Sequence, residues 1–362
     1  MTHFTGSYGT EDVAFLLNPV DLPDTPVHLK ETLIQSGQQH YSQLLTHEAL
    51  PPDDYIELFR RALGSNQDKL AQHLLVLARA ICRTRPQGIT LVSLARAGTP
   101  IGVLLKHILA RYFARDAAHY SISILRDVGI DANALRYIVQ NHPAESVVFV
   151  DGWTGKGVIA RQLCASLQAF AKSDGIVLAP ELYVLTDLCG YAAVAATSED
   201  YLIPSCILNA TVSGLISRTV YRPDQAQPGD FHSCLYYAQF AGYDLSAYFV
   251  NTVLAAVENV WQRGADLPHT PPDPAQLQAV SAHCLAQLSA RYHIRHANSI
   301  KPGIGEATRV LLRREARALL LQDDNAEATL HLRWLAAAKA IPITVIPDLP
   351  YRAVALINER AL

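Results

Sequence analysis

The segment 147–157 constrains the fold of this chain more than any other part of its sequence. Four apolar residues of strand character, Val147–Val150, lead to the carboxylate of Asp151 and then to the loop Gly-Trp-Thr-Gly-Lys-Gly. Apolar residues at helical spacing follow over 158–164. A strand that ends at an acid and passes through a glycine-rich loop into a helix predicts a ligand site at the carboxyl edge of a parallel sheet. Loop amides and the helix N-terminus would bind phosphate there.

Strand and helix patterns alternate through the first 263 residues. Apolar strand patterns lie at 88–95, 120–125, 147–150 and 182–185. Helical spacing is found before them, at 55–63 and 70–81, and between them, at 101–109 and 131–139. This alternation predicts an α/β fold with a parallel sheet that is covered on both faces.

The remainder of the chain has a different pattern. A proline-rich stretch at 264–274 predicts a linker, and one helix follows at about 275–291. A compact pattern then predicts a helix at 304–314, a strand at 316–321, a helix at 327–339, a strand at 343–346 and a last helix from Tyr351. We therefore predict a sheet domain over 1–263, a linker and helix over 264–299, and a small α/β domain over 300–362.

Composition limits the class of protein. Half of the 362 residues are hydrophobic and 17% are charged, which indicates a globular chain. The net charge of −3 provides no overall basic field for nucleic acid, although a local basic patch could. The first residues lack the pattern of a signal peptide, and no apolar run approaches the roughly 18 residues that cross a bilayer. Six cysteines without a C-x-x-C pair indicate reduced thiols, and we expect a cytoplasmic protein that does not enter a membrane.

A second loop follows the strand at 88–95 and extends over Arg96–Thr99. Arg96 could form bidentate hydrogen bonds with a diphosphate, and Gly98 would let the backbone approach it. We expect both loops to bind phosphate, through Ala97, Gly98, Thr99, Gly152, Trp153, Thr154, Gly155, Lys156 and Gly157. The alternatives are an ordinary strand-to-helix turn, a surface position for Arg96, and a solvated loop lysine at Lys156.

Two later segments complete the predicted site. The polar stretch 197–219 could wall a pocket for a second substrate, with Asn209, Ser213 and Arg218 reaching it. The alternative for this stretch is a network of turns and helix caps whose polar groups hydrogen-bond one another. His232 could be a general base, because the pKa of histidine is close to neutral pH, although a lone histidine is more often structural.

Both loops resemble those of one enzyme class. The segment Ser93–Gly102 resembles the pyrophosphate loop of type I phosphoribosyltransferases, and Val147–Gly157 resembles their PRPP motif, with Gly152 in place of a second acid. The resemblance implies phosphoribosyl transfer from PRPP to a heterocyclic acceptor. Asp151 would hold the ribose and, indirectly, a magnesium ion, and Arg96 would draw off pyrophosphate.

A closer resemblance covers nearly the whole chain. One bacterial family of tellurite-resistance and stress gene clusters is similar at Gly6–Tyr8, Gly37–Ser42, Tyr120–Ile124, Gly129–Asp131, Leu202–Pro204, Asn209–Thr219 and Asp230–His232. The family is described as a predicted phosphoribosyltransferase and is also labelled cysteine protease StiP. The C-terminal part, through Gly303–Arg314, resembles a pelota-type RNA-binding domain.

Three functions are therefore open. Our main expectation is a phosphoribosyltransferase (a pentosyltransferase) with magnesium as cofactor, and a homodimer is one expected state. The second is a non-catalytic nucleotide or RNA sensor, with RNA phosphates on the basic face formed by Arg309, Arg313, Arg314 and Arg317. The third is a cysteine protease, which we rank lower. It would use Cys206 or Cys234 with His232.

Overall fold

The computed structural model describes residues 4–22, 48–222, 227, 229–264, 267 and 273–359. Its centre is the expected parallel sheet, with strand order β1-β4-β3-β6-β7-β8. The short strand β5 pairs with β4 in antiparallel orientation. The strands of this sheet are β1 (Ala14–Leu16), β3 (Ile89–Ala95), β4 (Ala117–Leu125), β5 (Gly129–Ile130), β6 (Val147–Thr154), β7 (Leu182–Asp187) and β8 (Val194–Thr197).

Helices cover both faces of the sheet, and the strands are therefore nearly continuous apolar runs. Leu91 of β3 belongs to the core on one face, and its neighbour Val92 belongs to the core on the other. The first face carries α1 (Asp53–Thr84), α2 (Gly98–Phe113) and α5 (Ser246–Gln262). The second face carries α3 (Ala132–Asn141) and α4 (Val158–Asp174). The prediction of a parallel α/β sheet is confirmed.

The region predicted as two helices, at 55–63 and 70–81, is the single helix α1. Its buried stripe continues through Leu63, Leu70, Leu74 and Ile81 without a break. A helical glycine costs about 1 kcal/mol relative to alanine, and packing of this stripe outweighs that cost at Gly64.

A small second sheet extends over the carboxyl edge of the first. It has the order β2-β10-β9, with β2 at Asn18–Pro19, β9 at Ile216–Val220 and β10 at Ser233–Tyr236. The segment 208–215 leads into β9 and lies against Arg96. This sheet therefore places the polar stretch 197–219 beside the strand ends.

The C-terminal part is a smaller α/β region. Helix α6 (Pro274–Tyr292) precedes a sheet of order β11-β14-β12-β13, which carries α7 (Ile304–Arg313) and α8 (Leu330–Ala338). The strands are β11 (Ile300–Pro302), β12 (Ala316–Leu321), β13 (Ile343–Val345) and β14 (Ala353–Ile357). The predicted last helix is wrong, because Ala353–Ile357 is a fully buried strand between two others.

The two parts share one hydrophobic core. Ile304 and Val310 of α7 belong to the same buried cluster as Leu202 and Ile207 of the N-terminal part. Most of the predicted linker at 264–274, and the segment Gly37–Ser42, lie outside the described residues. Among the helices that the structure describes, none combines the length and apolarity that a bilayer span requires.

Candidate functional site

A cavity of about 230 Å³ lies at the carboxyl edge of the central sheet. One wall is formed by the residues that follow β3, β4 and β6, and another by Ser217–Thr219 of β9. The third wall belongs to the C-terminal part and contains Lys301, Glu306, Arg309, Val310, Arg313 and Arg314. We call this cavity the cleft.

The cleft brings the two predicted loops together. Strands β3 and β6 are hydrogen-bonded neighbours in parallel register, and their ends therefore meet at the same edge. Seven of the predicted loop residues line the cleft, namely Arg96, Ala97, Asp151, Trp153, Thr154, Gly155 and Lys156.

Four other predicted loop residues do not line the cleft, and their contacts are with the protein itself. A side chain at Gly98 would lie 2.5 Å from the carbonyl oxygen of Val150, so this glycine allows α2 to approach β6. Buried Thr99 hydrogen-bonds Ser121 at 2.8 Å. The Gly152 amide donates to the Asp151 carboxylate at 2.8 Å. Gly157 is the N-cap residue of α4, with a φ of +67°.

The loop 154–157 is largely occupied by the protein itself. The amide of Gly157 donates to Thr154 Oγ1 at 3.1 Å, and Lys156 Nζ donates to the carbonyl oxygen of Ala297 at 2.6 Å. A Cβ at Gly155 would lie 2.7 Å from the carbonyl oxygen of Pro302. Strand β11 thus covers the loop where a free phosphate cradle was expected.

The predicted pocket residues have different positions. Arg218 lines the cleft. Asn209 and Ser213 instead hold Arg96, which donates to Asn209 Oδ1 and, at 3.3 Å, to Ser213 Oγ. His232 is not among the residues that line the cleft. Its Nδ1 lies 3.0 Å from Ser123 Oγ, and burial lowers its pKa.

Several residues of the site were not predicted. Lys301 and Glu306 face the cleft, with Nζ of Lys301 3.9 Å from Glu306 Oε2. Glu48 receives hydrogen bonds from Arg313 at 3.0 Å and from Ser217 at 2.7 Å. The contacts of Glu48 join residues far apart in sequence, and no local pattern marks them. Of the predicted basic face, Arg309, Arg313 and Arg314 line the cleft, whereas Arg317 donates to the carbonyl oxygen of Tyr292.

Burial and charge shift the pKa of three cleft residues, Asp151, Lys156 and Lys301, toward neutral values. Burial raises the pKa of Asp151 to about 7, opposed by the Gly152 amide and Arg309. Burial, reinforced by Lys301, lowers the pKa of Lys156 to about 7. Burial also lowers the pKa of Lys301 to about 8. Burial raises the pKa of Glu306, but Lys301 and Arg309 outweigh it and lower the value overall.

The donor set does not fit a protein-held magnesium ion. The carboxylates of Asp151 and Glu306 share the cleft with Lys301 and Arg309, which lie 3.9 and 4.0 Å from the Glu306 carboxylate. No group of three or more His, Cys, Asp or Glu side chains suited to a metal is found within the described ranges. The expected magnesium stays a prediction, and we assign it no step.

All six cysteines are free thiols. Cys206 and Cys234 are buried, and burial raises the pKa of each to about 12. Cys206 Sγ lies 3.9 Å from Thr308 Oγ1, which hydrogen-bonds His331 Nε2 at 2.7 Å. Burial lowers the pKa of His331 to about 3. This is a thiol connected to an imidazole through a hydroxyl, with both end groups neutral.

Two family profiles match the sequence. A family described as "Tellurite-like stress resistance cysteine protease StiP" matches residues 6–254. A family described as "PELOTA RNA binding domain" matches residues 279–359. A relative named "Cysteine protease StiP", from Acinetobacter baylyi, is 40% identical over 367 residues, which cover 98% of this chain and 94% of the relative.

These matches correct the functional expectation. The resemblance to the StiP family and to the pelota domain is confirmed. The phosphoribosyltransferase assignment and the low rank of proteolysis are wrong, since the family and the relative are both named as a cysteine protease. PRPP and its acceptor have no support from the comparisons. The phosphoribosyltransferase expectation failed because a strand followed by a glycine-rich loop and a helix is not specific to one ligand. In this protein, β11 covers the loop.

Proposed function

Since this chain belongs to the StiP family and carries a segment that matches a pelota domain, we propose that it binds RNA in the cleft between its two parts. The observation that carries this proposal is the convergence of cationic side chains from both parts on one cavity. Arg96 and Lys156 come from the central sheet, and Lys301, Arg309 and Arg313 come from the C-terminal part.

The charges of the cleft suit a polyanion. Those five cations share the cleft with Asp151 and Glu306, and Glu48 pairs with Arg313. Near neutral pH, Asp151 is partly protonated and Lys156 is partly deprotonated, because burial shifts the pKa of each to about 7. Cations therefore exceed carboxylates among these side chains, although the whole chain is acidic. Phosphate contacts of this kind supply most of the sequence-independent affinity for nucleic acid.

The cleft also offers an aromatic ring. Trp153 lies half-buried in its wall, and its indole packs on α7, where a Cβ at Gly305 would lie 2.4 Å from Trp153 Cε2. Unpaired RNA bases stack on aromatic side chains, whereas double-stranded RNA keeps its bases inside the helix. We therefore propose single-stranded RNA as the ligand.

Fluorescence anisotropy with a labelled single-stranded RNA tests the proposal. Arg309→Gln and Lys156→Gln should weaken binding, and each should reduce the slope of log K against log salt by about 0.7, the value for one lost phosphate contact on a single strand. Arg60→Gln is the matched control, since Arg60 is 52% exposed on α1 and pairs with Glu57. Affinity that Arg309→Gln and Lys156→Gln leave unchanged would overturn the proposal.

Cysteine-dependent proteolysis is the second candidate, and the connection from Cys206 through Thr308 to His331 favours it. The family description and the named relative point to this activity. A thiol protease needs a thiolate in contact with an imidazole. Cys206 is 5% exposed and its pKa is near 12, so Thr308 and α7 must move before the thiol can reach a substrate.

A fluorogenic protein substrate, tested with and without RNA, examines this candidate. We expect Cys206→Ala to abolish hydrolysis and Cys164→Ala, on the outer helix α4, to preserve it. Full activity of Cys206→Ala would remove the assignment of this thiol. A wild-type protein that is inactive in both conditions would remove proteolysis from the candidates.

A further inference from the structure

The inner end of the cleft contains two arginines that come from different parts of the fold. Arg96 follows β3, and Arg313 is the last residue of α7. The Arg313 side chain is only 10% exposed. Both residues line the cleft, and both donate hydrogen bonds to the segment 208–217, whose Ser217 also lines the cleft.

The hydrogen bonds of these arginines leave positive charge uncompensated. Arg96 donates to the carbonyl oxygens of Leu208 and Asn209 and to the side chains of Asn209 and Ser213, all of which are neutral. Arg313 donates to the carbonyl oxygen of Ser217 and to Glu48. Within the part of the chain that the structure describes, the two guanidinium groups therefore have one carboxylate partner between them, which is Glu48 on Arg313.

Two further observations indicate that the charge is unbalanced. The buried Nε atoms of Arg96 and Arg313 lack a hydrogen-bond partner among the described residues. Burial lowers the pKa of Arg96 to about 10, and the nearby Arg309 lowers it further, whereas Glu48 opposes the change. A buried cation that has no counter-ion is costly, and an anionic ligand would relieve it.

We propose that Arg96 and Arg313 form a pocket for the terminal phosphate monoester of an RNA strand. This inference rests on the proposed binding of RNA in the cleft. A guanidinium binds two phosphate oxygens in parallel, and a terminal phosphate offers three oxygens and up to two charges. An internal phosphodiester carries one charge, and its chain must continue on both sides. Because the segment 208–217 accepts hydrogen bonds from both arginines, we place it across the path of a continuing strand, so the pocket suits the end of a strand.

The test compares four versions of one short RNA, with a 5′-phosphate, a 3′-phosphate, both or neither, at constant salt and pH. We expect one phosphorylated end to increase affinity about tenfold, the effect of a bidentate charge-assisted contact. Arg96→Gln should bring the ratio of phosphorylated to unphosphorylated affinity close to one. The rim variant Arg309→Gln should weaken all four RNAs equally and preserve the ratio.

A second measurement uses the wild-type protein and does not depend on the folding of a variant. Inorganic phosphate should compete with the phosphorylated RNA at the pocket and reduce the ratio. Sodium chloride of equal ionic strength should reduce it less, because it only screens the extra charge of the terminal phosphate. Equal affinity for all four RNAs, with binding still sensitive to Arg309→Gln, would overturn the pocket and leave RNA binding intact. Absence of binding to every RNA would overturn both.

Discussion

The carboxylate of Asp200 accepts a hydrogen bond from the backbone amide of Ile304 at 3.0 Å and so fixes the first turn of α7 to the N-terminal part. Its second oxygen accepts from the amide of Arg352 at 2.8 Å, just before β14. One buried side chain thus fastens two elements of the C-terminal part. The cleft depends on this attachment, because α7 supplies Arg309 and Arg313.

We predict that Asp200→Ala destabilises the protein by about 1–3 kcal/mol, because it removes the acceptor of the buried Ile304 amide and of the partly buried Arg352 amide. Urea unfolding measures the change in the free energy of unfolding. Asp200→Asn keeps one acceptor oxygen and should lose less. The control Asp348→Ala removes an exposed carboxylate and should stay within about 0.5 kcal/mol of the wild type. Equal stability of Asp200→Ala and Asp348→Ala would contradict the proposed fastening.

Substituting alanine for either of two glycines should change the stability of the protein in opposite directions. Gly155→Ala places a methyl group 2.7 Å from the carbonyl oxygen of Pro302, so β11 must shift away from β6. We expect a loss of about 1–3 kcal/mol from this overpacking. Gly64→Ala adds a methyl group in open space within α1 and should stabilise the protein by about 0.5–1 kcal/mol. Thermal unfolding of both variants decides the matter, and a stabilising Gly155→Ala would show that β11 does not close the loop.

The sequence predicted the central sheet and the meeting of its two loops for a simple reason. Parallel neighbours share an edge, so Arg96 after β3 and Asp151 in the C-terminal half of β6 had to be close. The closure of that edge could not be predicted in the same way. It depends on Pro302 approaching Gly155 and on Asp200 holding α7, which are contacts between distant parts of the chain.

Local patterns also failed where packing decides the structure. Ala353–Ile357 is too short for its period to separate a helix from a strand, and pairing with β11 and β12 makes it a strand. The functional error has a similar origin. Glycines at 98, 155 and 157 resemble those of a phosphate loop, yet each permits a close contact within the protein. A glycine at such a position indicates that another group packs closely against the backbone. It does not show whether that group belongs to a ligand or to the protein.

The thiols should differ in reactivity in the folded protein. Burial raises the pKa of Cys206 and Cys234 to about 12, and both side chains are covered. Cys164 is partly exposed on α4. We predict that iodoacetamide at pH 8 alkylates Cys164 at least tenfold faster than Cys206 or Cys234, because alkylation requires an accessible thiolate. Mass spectrometry of peptides over a time course measures the three rates. Rapid alkylation of Cys206 would instead reveal that α7 opens readily.

RNA affinity should fall as pH rises from 6 to 9. The pKa of Lys156 is about 7 and that of Lys301 is about 8, so both lysines lose their charge over this range. Asp151, with a pKa of about 7, gains a negative charge over the same range. A polyanion favours the protonated form of each group, so all three effects have the same sign, and each contributes at most about tenfold per pH unit.

Anisotropy titrations at constant ionic strength measure this dependence of RNA affinity on pH. Lys156→Arg keeps its charge throughout and should give a shallower slope. Asp151 and Lys301 still titrate in this variant, so its affinity should still decline as pH rises. An affinity that rises with pH would mean that Asp151 and the two lysines do not face the bound RNA.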